Sequence, residues 1–110
     1  MTGTNIHEDV VALSINATRD FTTPMLVWIN LGVDLIVGKR SDSLIDSNGN
    51  AITVTRLTAL TDTVSIPDKF RGPLVDYCLS RYFAQFGKDA LQLKRSETHL
   101  NFFYTTLKDV

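Results

Sequence analysis

The stretch from Ile66 to Phe86 constrains the fold most, because it combines a helix entry with a long apolar face. Asp68 is suited to cap a first turn, and Pro73 suits the first position of a regular helix since it has no N–H to leave unpaired. Gly87 is expected to end the helix. The pattern predicts a packing and docking helix over about 68–86, without a catalytic signature. Its apolar positions recur at helical spacing and are Leu74, Tyr77, Cys78, Leu79, Tyr82, Phe83 and Phe86.

Three further helices are predicted, over about 6–18, 24–37 and 89–107. Asn5, followed three positions later by Glu8, has the pattern of a capping box that opens the first helix. The apolar faces of the first and last helices follow the helical period. They comprise Ile6, Val10, Leu13 and Ala17 in the first helix, and Leu93, Leu100, Phe103 and Leu107 in the last.

The second predicted helix, 24–37, is apolar nearly all round. Thr23 is its expected N-cap, Pro24 its first residue, and Gly38 its end. Ten of its 14 residues are apolar, a composition typical of a helix buried on every side. A chain of 110 residues has little interior to surround such a helix. It is therefore expected either to lie between the first and third helices or to turn one side to another subunit.

The region from 43 to 66 predicts a small antiparallel hairpin or three-strand flap between the second and third helices. Asn48-Gly49 is a strong turn signal, and Ile52 and Val54 alternate with threonines as in a half-buried strand. The predicted fold is therefore mainly α, a single domain with a bundle of about four helices and this β insert. Because an isolated hairpin is marginal in water, the insert is expected to pack on the helices or on a partner.

Composition excludes several classes of protein. The net charge of −1 argues against a nucleic-acid-binding polycation. Charge is uneven, however: residues 1–65 carry four basic against seven acidic side chains, a net of −3, and residues 66–110 carry seven against five, a net of +2. Cys78 is the single cysteine, which leaves no disulfide framework. No signal peptide or membrane span is predicted, so a soluble protein made in a reducing cytoplasm is expected.

No catalytic, metal or cofactor motif is found in the sequence. Two polar pairs have the helical spacing of a candidate site. Asn30 and Asp34 have the spacing of a polar contact or weak ion site, although solvent exposure is the favoured interpretation. Arg95 and His99 have a spacing that suits phosphate, although a solvated helix face is favoured.

Two parts of the chain resemble the head-to-tail connector proteins (adaptor, or head-completion, proteins) of tailed bacteriophages. The first is the polar cap followed by Trp28-Ile29-Asn30. The second begins with a proline, an acid and an aromatic residue and continues in a helix with the pattern L-V-D-Y-x-L-x-R. A further helix follows, with a His and a Phe in its later part. The matching residues there are Pro67, Asp68, Phe70, Leu74, Val75, Asp76, Tyr77, Leu79, Arg81, His99 and Phe103. The resemblance spans about residues 5 to 105.

This resemblance implies a structural virion protein without enzyme activity or cofactor. Copies of such proteins form a ring, usually of twelve, beneath the portal at the neck of the virion, after assembly in the host cytoplasm. The ring extends the channel through which genomic DNA passes without specific binding, and it presents a docking surface to the tail or its nozzle or completion protein. No membrane is involved.

The candidate subunit or portal interface comprises Trp28, Lys88, Lys94 and Arg95, and the hairpin tip at Asn48 and Gly49 is expected to reach a neighbour or the tail. A small helical DNA-binding regulator is the alternative, with Lys88 to Arg95 as the recognition segment, although Leu91 and Leu93 weaken it. An accessory subunit of an enzyme is a third interpretation, which the sequence neither supports nor excludes.

Overall fold

The computed structural model describes residues 1–14 and 22–110, which form a mainly helical bundle. Four α-helices follow in chain order: α1 (Gly3–Leu13), α2 (Thr22–Lys39), α3 (Arg71–Phe86) and α4 (Ala90–Asp109). Two short 3-10 turns, Ser41–Leu44 and Asp68–Phe70, flank the region between α2 and α3. The predicted helical bundle is confirmed for the described residues.

Helix α1 begins earlier than predicted. The hydroxyl of Thr2 accepts from the Asn5 backbone N–H, and the Asn5 side chain accepts from the Thr2 backbone N–H. The capping box is therefore Thr2 with Asn5, and the predicted box of Asn5 with Glu8 is wrong. The helix ends at Leu13, with Ser14 extended as its C-cap. The predicted continuation to residue 18, including Ala17, lies outside the described residues.

Helix α2 is buried on one side only. Its core positions pack toward α3 and α1, whereas Val27 is 53% and Leu31 is 37% exposed. The described residues thus do not enclose the helix on every side, so the first of the two predicted arrangements, burial between the first and third helices, is incomplete among them. Thr23 lies inside α2, so its prediction as the N-cap is wrong. The buried side comprises Met25, Trp28, Ile29, Asn30, Gly32, Val33 and Ile36.

Helix α3 lies at the centre of the packing and makes its most extensive contacts with α4. Phe70 is its N-cap and provides no side-chain hydrogen bond, and Pro73 is the third helical residue. Asp68 lies in the preceding 3-10 turn, where its carboxylate binds the Met1 ammonium at 2.8 Å, so the predicted capping role is wrong. Gly87 ends α3 as predicted, in an extended conformation. A Cβ there would collide with the Phe83 carbonyl oxygen, which explains the glycine.

The predicted β-hairpin or flap is not seen. Among the described residues there is no strand, and the only β pairings are isolated bridges between Ile45 and Ala51 and between Thr2 and Thr63. Beyond the Ile45–Ala51 bridge, the pairing extends only to one bond, from the Ile52 N–H to the Leu44 oxygen. It stops there because Ser41–Leu44 forms a 3-10 turn instead of a strand. The insert instead gains main-chain partners from the N-terminus, where Gly3 N–H donates to the Asp62 oxygen and Thr4 N–H to the Leu60 oxygen.

The core is continuous from the helices into the insert. Leu57, Val64 and Ile66 of the insert are buried together with the helical core residues. Gly3 allows α1 to approach the insert closely, since a Cβ there would lie 2.9 Å from both a Leu57 methyl carbon and the Leu60 oxygen. None of the helices in the described part of the chain combines the length and apolar character that spanning a bilayer requires.

Candidate interaction surfaces

A side-chain amide of α2 holds the insert against the bundle. Asn30 Oδ1 accepts from the Leu57 N–H at 2.9 Å, and Asn30 Nδ2 donates to the Leu57 carbonyl oxygen at 3.0 Å. The amide thereby imitates the pair of bonds that a neighbouring strand would make. Asn30 is 9% exposed, so the favoured prediction of solvent exposure is wrong for this residue. It holds for Asp34, which is exposed and lies 3.4 Å from Arg56.

The rest of the insert is fixed by further side chains that bind the main chain. Ser65 Oγ accepts from the Thr55 N–H at 2.9 Å. Asp62 closes the turn that follows by accepting from the backbone N–H groups of Thr58 and Ala59 and from the Thr58 hydroxyl. These hydrogen bonds favour the ionised carboxylate and hold the pKa of Asp62 below its usual range, with the Thr58 N–H as the largest contribution.

A second polar cluster joins the end of α2 to the end of α4. The Arg40 guanidinium binds both carboxylate oxygens of Asp42 and also donates to the carbonyl oxygens of Leu107 and Val110. Lys69 binds the same carboxylate at 2.9 Å. The hydrogen bond from Arg40, followed by that from Lys69, lowers the pKa of Asp42 strongly. A guanidinium at the last carbonyls also suits the negative end of the α4 dipole.

A third cluster lies between α3 and α4. His99 Nδ1 is 3.2 Å from Asp76 Oδ1, and its ring stacks on Phe83 with 5.8 Å between centroids. The Arg95 guanidinium carbon lies over the same Phe83 ring, 6.0 Å from its centroid. Burial raises the pKa of the Asp76 carboxyl, and the hydrogen bond to His99 opposes that rise. The His99 side chain is 21% exposed and is held by Asp76 and Phe83, so the favoured prediction of a solvated face holds for it only in part.

The predicted interface residues lie in different environments. Trp28 is 3% exposed and packs edge-on against Phe86, with 6.2 Å between centroids, so it belongs to the core of this chain rather than to its surface. Lys88 and Lys94 are exposed near the start of α4, and Arg95 is half-buried. The structure thus brings the three cations to the start of α4, whereas Trp28 is buried beside Phe86.

The predicted turn tip is present without its hairpin. Asn48 and Gly49 are exposed, and Gly49 has φ of 81°, a left-handed conformation that favours glycine. The Asp46 carboxylate accepts from the backbone N–H groups of Asn48 and Asn50, both at 2.9 Å. Main-chain bonds close the same turn, because the Asp46 N–H donates to the Asn50 oxygen at 2.9 Å and the Gly49 N–H to the Asp46 oxygen at 3.0 Å. The turn is therefore held by a side chain and by local main-chain bonds, without two paired strands.

Helix α4 exposes large apolar side chains. Leu93, predicted as part of the buried face, is 50% exposed, and that prediction is wrong. Leu91 is 62% and Phe102 is 50% exposed. Helix α4 packs on α3 with one face, on which Phe103 and Leu107 are buried. The signal was available in the sequence, because Leu91 and Phe102 fall off the stripe set by Phe103 and Leu107.

Neither a reactive thiol nor a metal site is found in the part of the chain that the structure describes. Cys78 is fully buried on α3, and burial raises the pKa of its thiol far above the ordinary value, which suits a small core residue. No group of three or more His, Cys, Asp or Glu side chains within 1–14 and 22–110 is placed to hold a metal ion.

Comparison with known proteins gives no match for this chain among protein-family models, curated proteins or solved structures.

Proposed function

We propose that this protein is the adaptor subunit of a ring that joins the portal of a tailed bacteriophage to its tail. The observation that carries the proposal is that residues of separate resembling motifs contact each other. Asp76 pairs with His99 at 3.2 Å, and the rings of Tyr77 and Phe103 meet edge-on at 5.4 Å. The L-V-D-Y helix and the later His and Phe therefore belong to one α3–α4 interface, which gives the soft pattern a structural basis.

A second motif has a comparable role. Asn30, the last residue of the Trp28-Ile29-Asn30 motif, binds Leu57 and thereby fixes the insert that precedes the L-V-D-Y helix. The motifs together specify how α3 meets α4 and how the insert meets α2. The proposal is supported by the resemblance of these motifs and by the surfaces described next, since a fold alone does not define a function.

The exposed surfaces suit contacts between copies. A cyclic ring uses two different patches on each subunit. Leu91 and Phe102 are exposed on one side of α4 and Leu93 on the opposite side, and Val27 and Leu31 are exposed one turn apart on α2. The opposite net charges of residues 1–65 and 66–110 favour head-to-tail approach of neighbouring copies. In a ring of about twelve copies, these patches would meet around the circle, as the resemblance implies.

The portal-facing surface in this proposal is the start of α4, where Lys88 and Lys94 are exposed beside Arg95. The turn at Asn48 and Gly49 reaches toward a neighbour or the tail. DNA passes through the channel without specific binding, because each phosphate contact adds affinity that would hinder passage. A net charge of −1 is compatible with such a channel.

The alternative of a DNA-binding regulator has weaker support. A recognition helix presents basic and amide groups at its N-terminal end. At the start of α4, Asp89 is the N-cap and accepts from the Gln92 N–H at 2.8 Å, which puts a carboxylate where a phosphate would approach. Leu91 and Leu93 are exposed on the same turn. Lys88 and Lys94 remain the groups through which such a protein would contact DNA.

Native mass spectrometry with the portal protein of the same virus distinguishes these functions. The adaptor proposal predicts a complex of one portal assembly with a closed set of copies of this chain. It also predicts no shift of random duplex DNA at low salt. A monomer in isolation agrees with the proposal, because the portal is the template for the ring. A protein that ignores the portal and shifts duplex DNA would be the regulator instead.

A further inference from the structure

The insert contains a strand-like segment whose main chain is only partly satisfied. From Ile52 to Leu57 the chain runs without a turn or bend. Ile52 and Val54 are half-buried, and Thr53 and Thr55 between and after them are exposed. This alternation is that of a β-strand with one covered face. Arg56 is exposed and Leu57 is buried, so the phase of burial changes at the end of the segment. Residues Ile52 to Thr55 thus have the burial pattern of a strand, and no described residue pairs with the segment as a strand beyond Ala51.

The two edges of this segment differ. Main-chain groups of successive strand residues point to opposite edges. On one edge, side chains replace a partner strand: the Ser65 hydroxyl at Thr55 and the Asn30 amide at Leu57. This edge is closed to a further strand at those two positions.

The other edge is open. It begins where the Ile52 N–H donates to the Leu44 oxygen at 2.7 Å, and there the 3-10 turn leads the partner away. Beyond that point, the N–H and C=O groups of Val54 and Arg56 have no hydrogen-bond partner among residues 1–14 and 22–110. Unpaired groups in a row are a template for pairing with another strand.

We propose that this open edge pairs with the same edge of a second copy of this chain, in an antiparallel arrangement about a two-fold axis. Val54 of each copy then stands opposite Arg56 of the other. Each such pair exchanges both of its N–H···O bonds, so the two pairs together satisfy the N–H and C=O groups of Val54 and Arg56 in both copies. Thr55 faces its counterpart on the axis, and threonine pairs are favourable across strands.

Self-pairing is favoured over a foreign strand for two reasons. The edge is its own complement in this register, since donors meet acceptors in both copies at once, as an isologous contact requires. Like charges do not stand directly opposite, because Arg56 faces Val54 and has Asp34 of its own chain 3.4 Å away. Neither Lys nor Pro occurs between Ile52 and Leu57 to blunt the edge. The contact is separate from the head-to-tail contacts of a ring and does not rest on the proposed function.

The test is sedimentation equilibrium of the full chain from micromolar to millimolar concentration, with amide hydrogen exchange at both limits. The Val54→Pro variant removes one edge donor, and the extended Thr53 before it tolerates a following proline. Thr53→Ala is the control, because it weakens strand propensity without removing an edge donor. We expect wild type and Thr53→Ala to dimerise with slowed exchange at Val54 and Arg56, and Val54→Pro to stay monomeric with unchanged helix content.

Wild-type monomers at millimolar concentration, or a Val54→Pro dimer as tight as wild type, would overturn the proposal. Exchange at Val54 and Arg56 that is equally fast at both concentrations would do the same. This last readout needs no variant, so it decides the matter even if Val54→Pro does not fold. Ring formation on the portal is measured separately and can succeed or fail on its own.

Discussion

The side-chain amide of Asn30 bonds both main-chain groups of Leu57, a residue 27 positions further along the chain. Two bonds from one buried amide fix the insert to α2 without any β-sheet. Because both partners are buried, loss of either would leave polar groups without water or a bonding partner. This contact therefore controls where the insert lies relative to the bundle.

Replacing Asn30 by Ala should destabilise the protein by about 2 kcal/mol, since it strands the buried N–H and C=O of Leu57. Urea denaturation followed by circular dichroism measures the change, and amide exchange at Leu57 should accelerate. Asp34→Ala, one helical turn further on α2 and exposed, is the matched control and should change stability by less than about 0.5 kcal/mol. If the two variants had equal free energies of unfolding, the Asn30–Leu57 hydrogen bonds would contribute nothing to stability.

Helix α2 approaches α3 closely at Gly32. A Cβ there would lie 2.6 Å from Leu74 Cδ1 and 3.0 Å from Tyr77 Cδ2, so Gly32→Ala should cost about 1–3 kcal/mol through overpacking. Gly38 lies in the same helix with nothing within 4 Å of its would-be Cβ. Gly38→Ala should therefore be neutral or stabilising by up to about 1 kcal/mol. Thermal unfolding of both variants checks the contrast, and an unaffected Gly32→Ala protein would contradict the close packing.

The Asp42 carboxylate should contribute stability that depends on pH. Arg40 and Lys69 lower its pKa in the folded state, so its contribution is fully present above the unfolded value of about 3.9 and is lost as pH falls through the folded value. Asp42→Asn should consequently be less stable than wild type at neutral pH, and the difference should narrow in acid. Urea titrations across the acid range measure this. A difference that does not vary with pH would contradict the ion-pair explanation.

The basic start of α4 should matter for docking to the portal. The double variant Lys88→Glu and Lys94→Glu reverses two exposed charges without touching the core, and it should weaken portal binding severalfold at low salt. Lys108→Glu is the control. It reverses one exposed charge at the other end of α4 and should bind the portal as the wild-type protein does. Sedimentation with purified portal provides the measurement. Equal binding by all three proteins would move the portal contact to another surface.

The sequence predicted the helices well because each has a local signal. The apolar spacing from Leu74 to Phe86 and the stop at Gly87 correspond to α3 and its end. The ends of the helices were predicted less accurately, because alternative caps compete locally. At α1, Thr2 forms the capping box with Asn5 in place of the predicted box of Asn5 with Glu8. Both capping patterns satisfy the same kind of backbone donor, and the sequence alone does not rank them.

The structure of the insert and of the candidate surfaces could not be predicted in full, because it depends on contacts between residues that are distant in sequence. Alternation at Ile52 and Val54 predicted a strand, and both side chains are half-buried, yet no strand forms among the described residues. The main chain of the segment is instead bonded by the side chains of Ser65 and Asn30. The burial of Trp28 and the exposure of Leu93 likewise depend on how α3 packs between α2 and α4. Periodicity identifies an apolar face and leaves open whether the same chain covers it.

The adaptor proposal is tested most directly by electron microscopy of the purified protein mixed with the portal of the same virus. Particles viewed along the channel axis should show this chain as a closed ring coaxial with the portal, with the start of α4 facing it. Portal particles that carry no added ring, at protein concentrations well above that of the portal, would contradict the proposal.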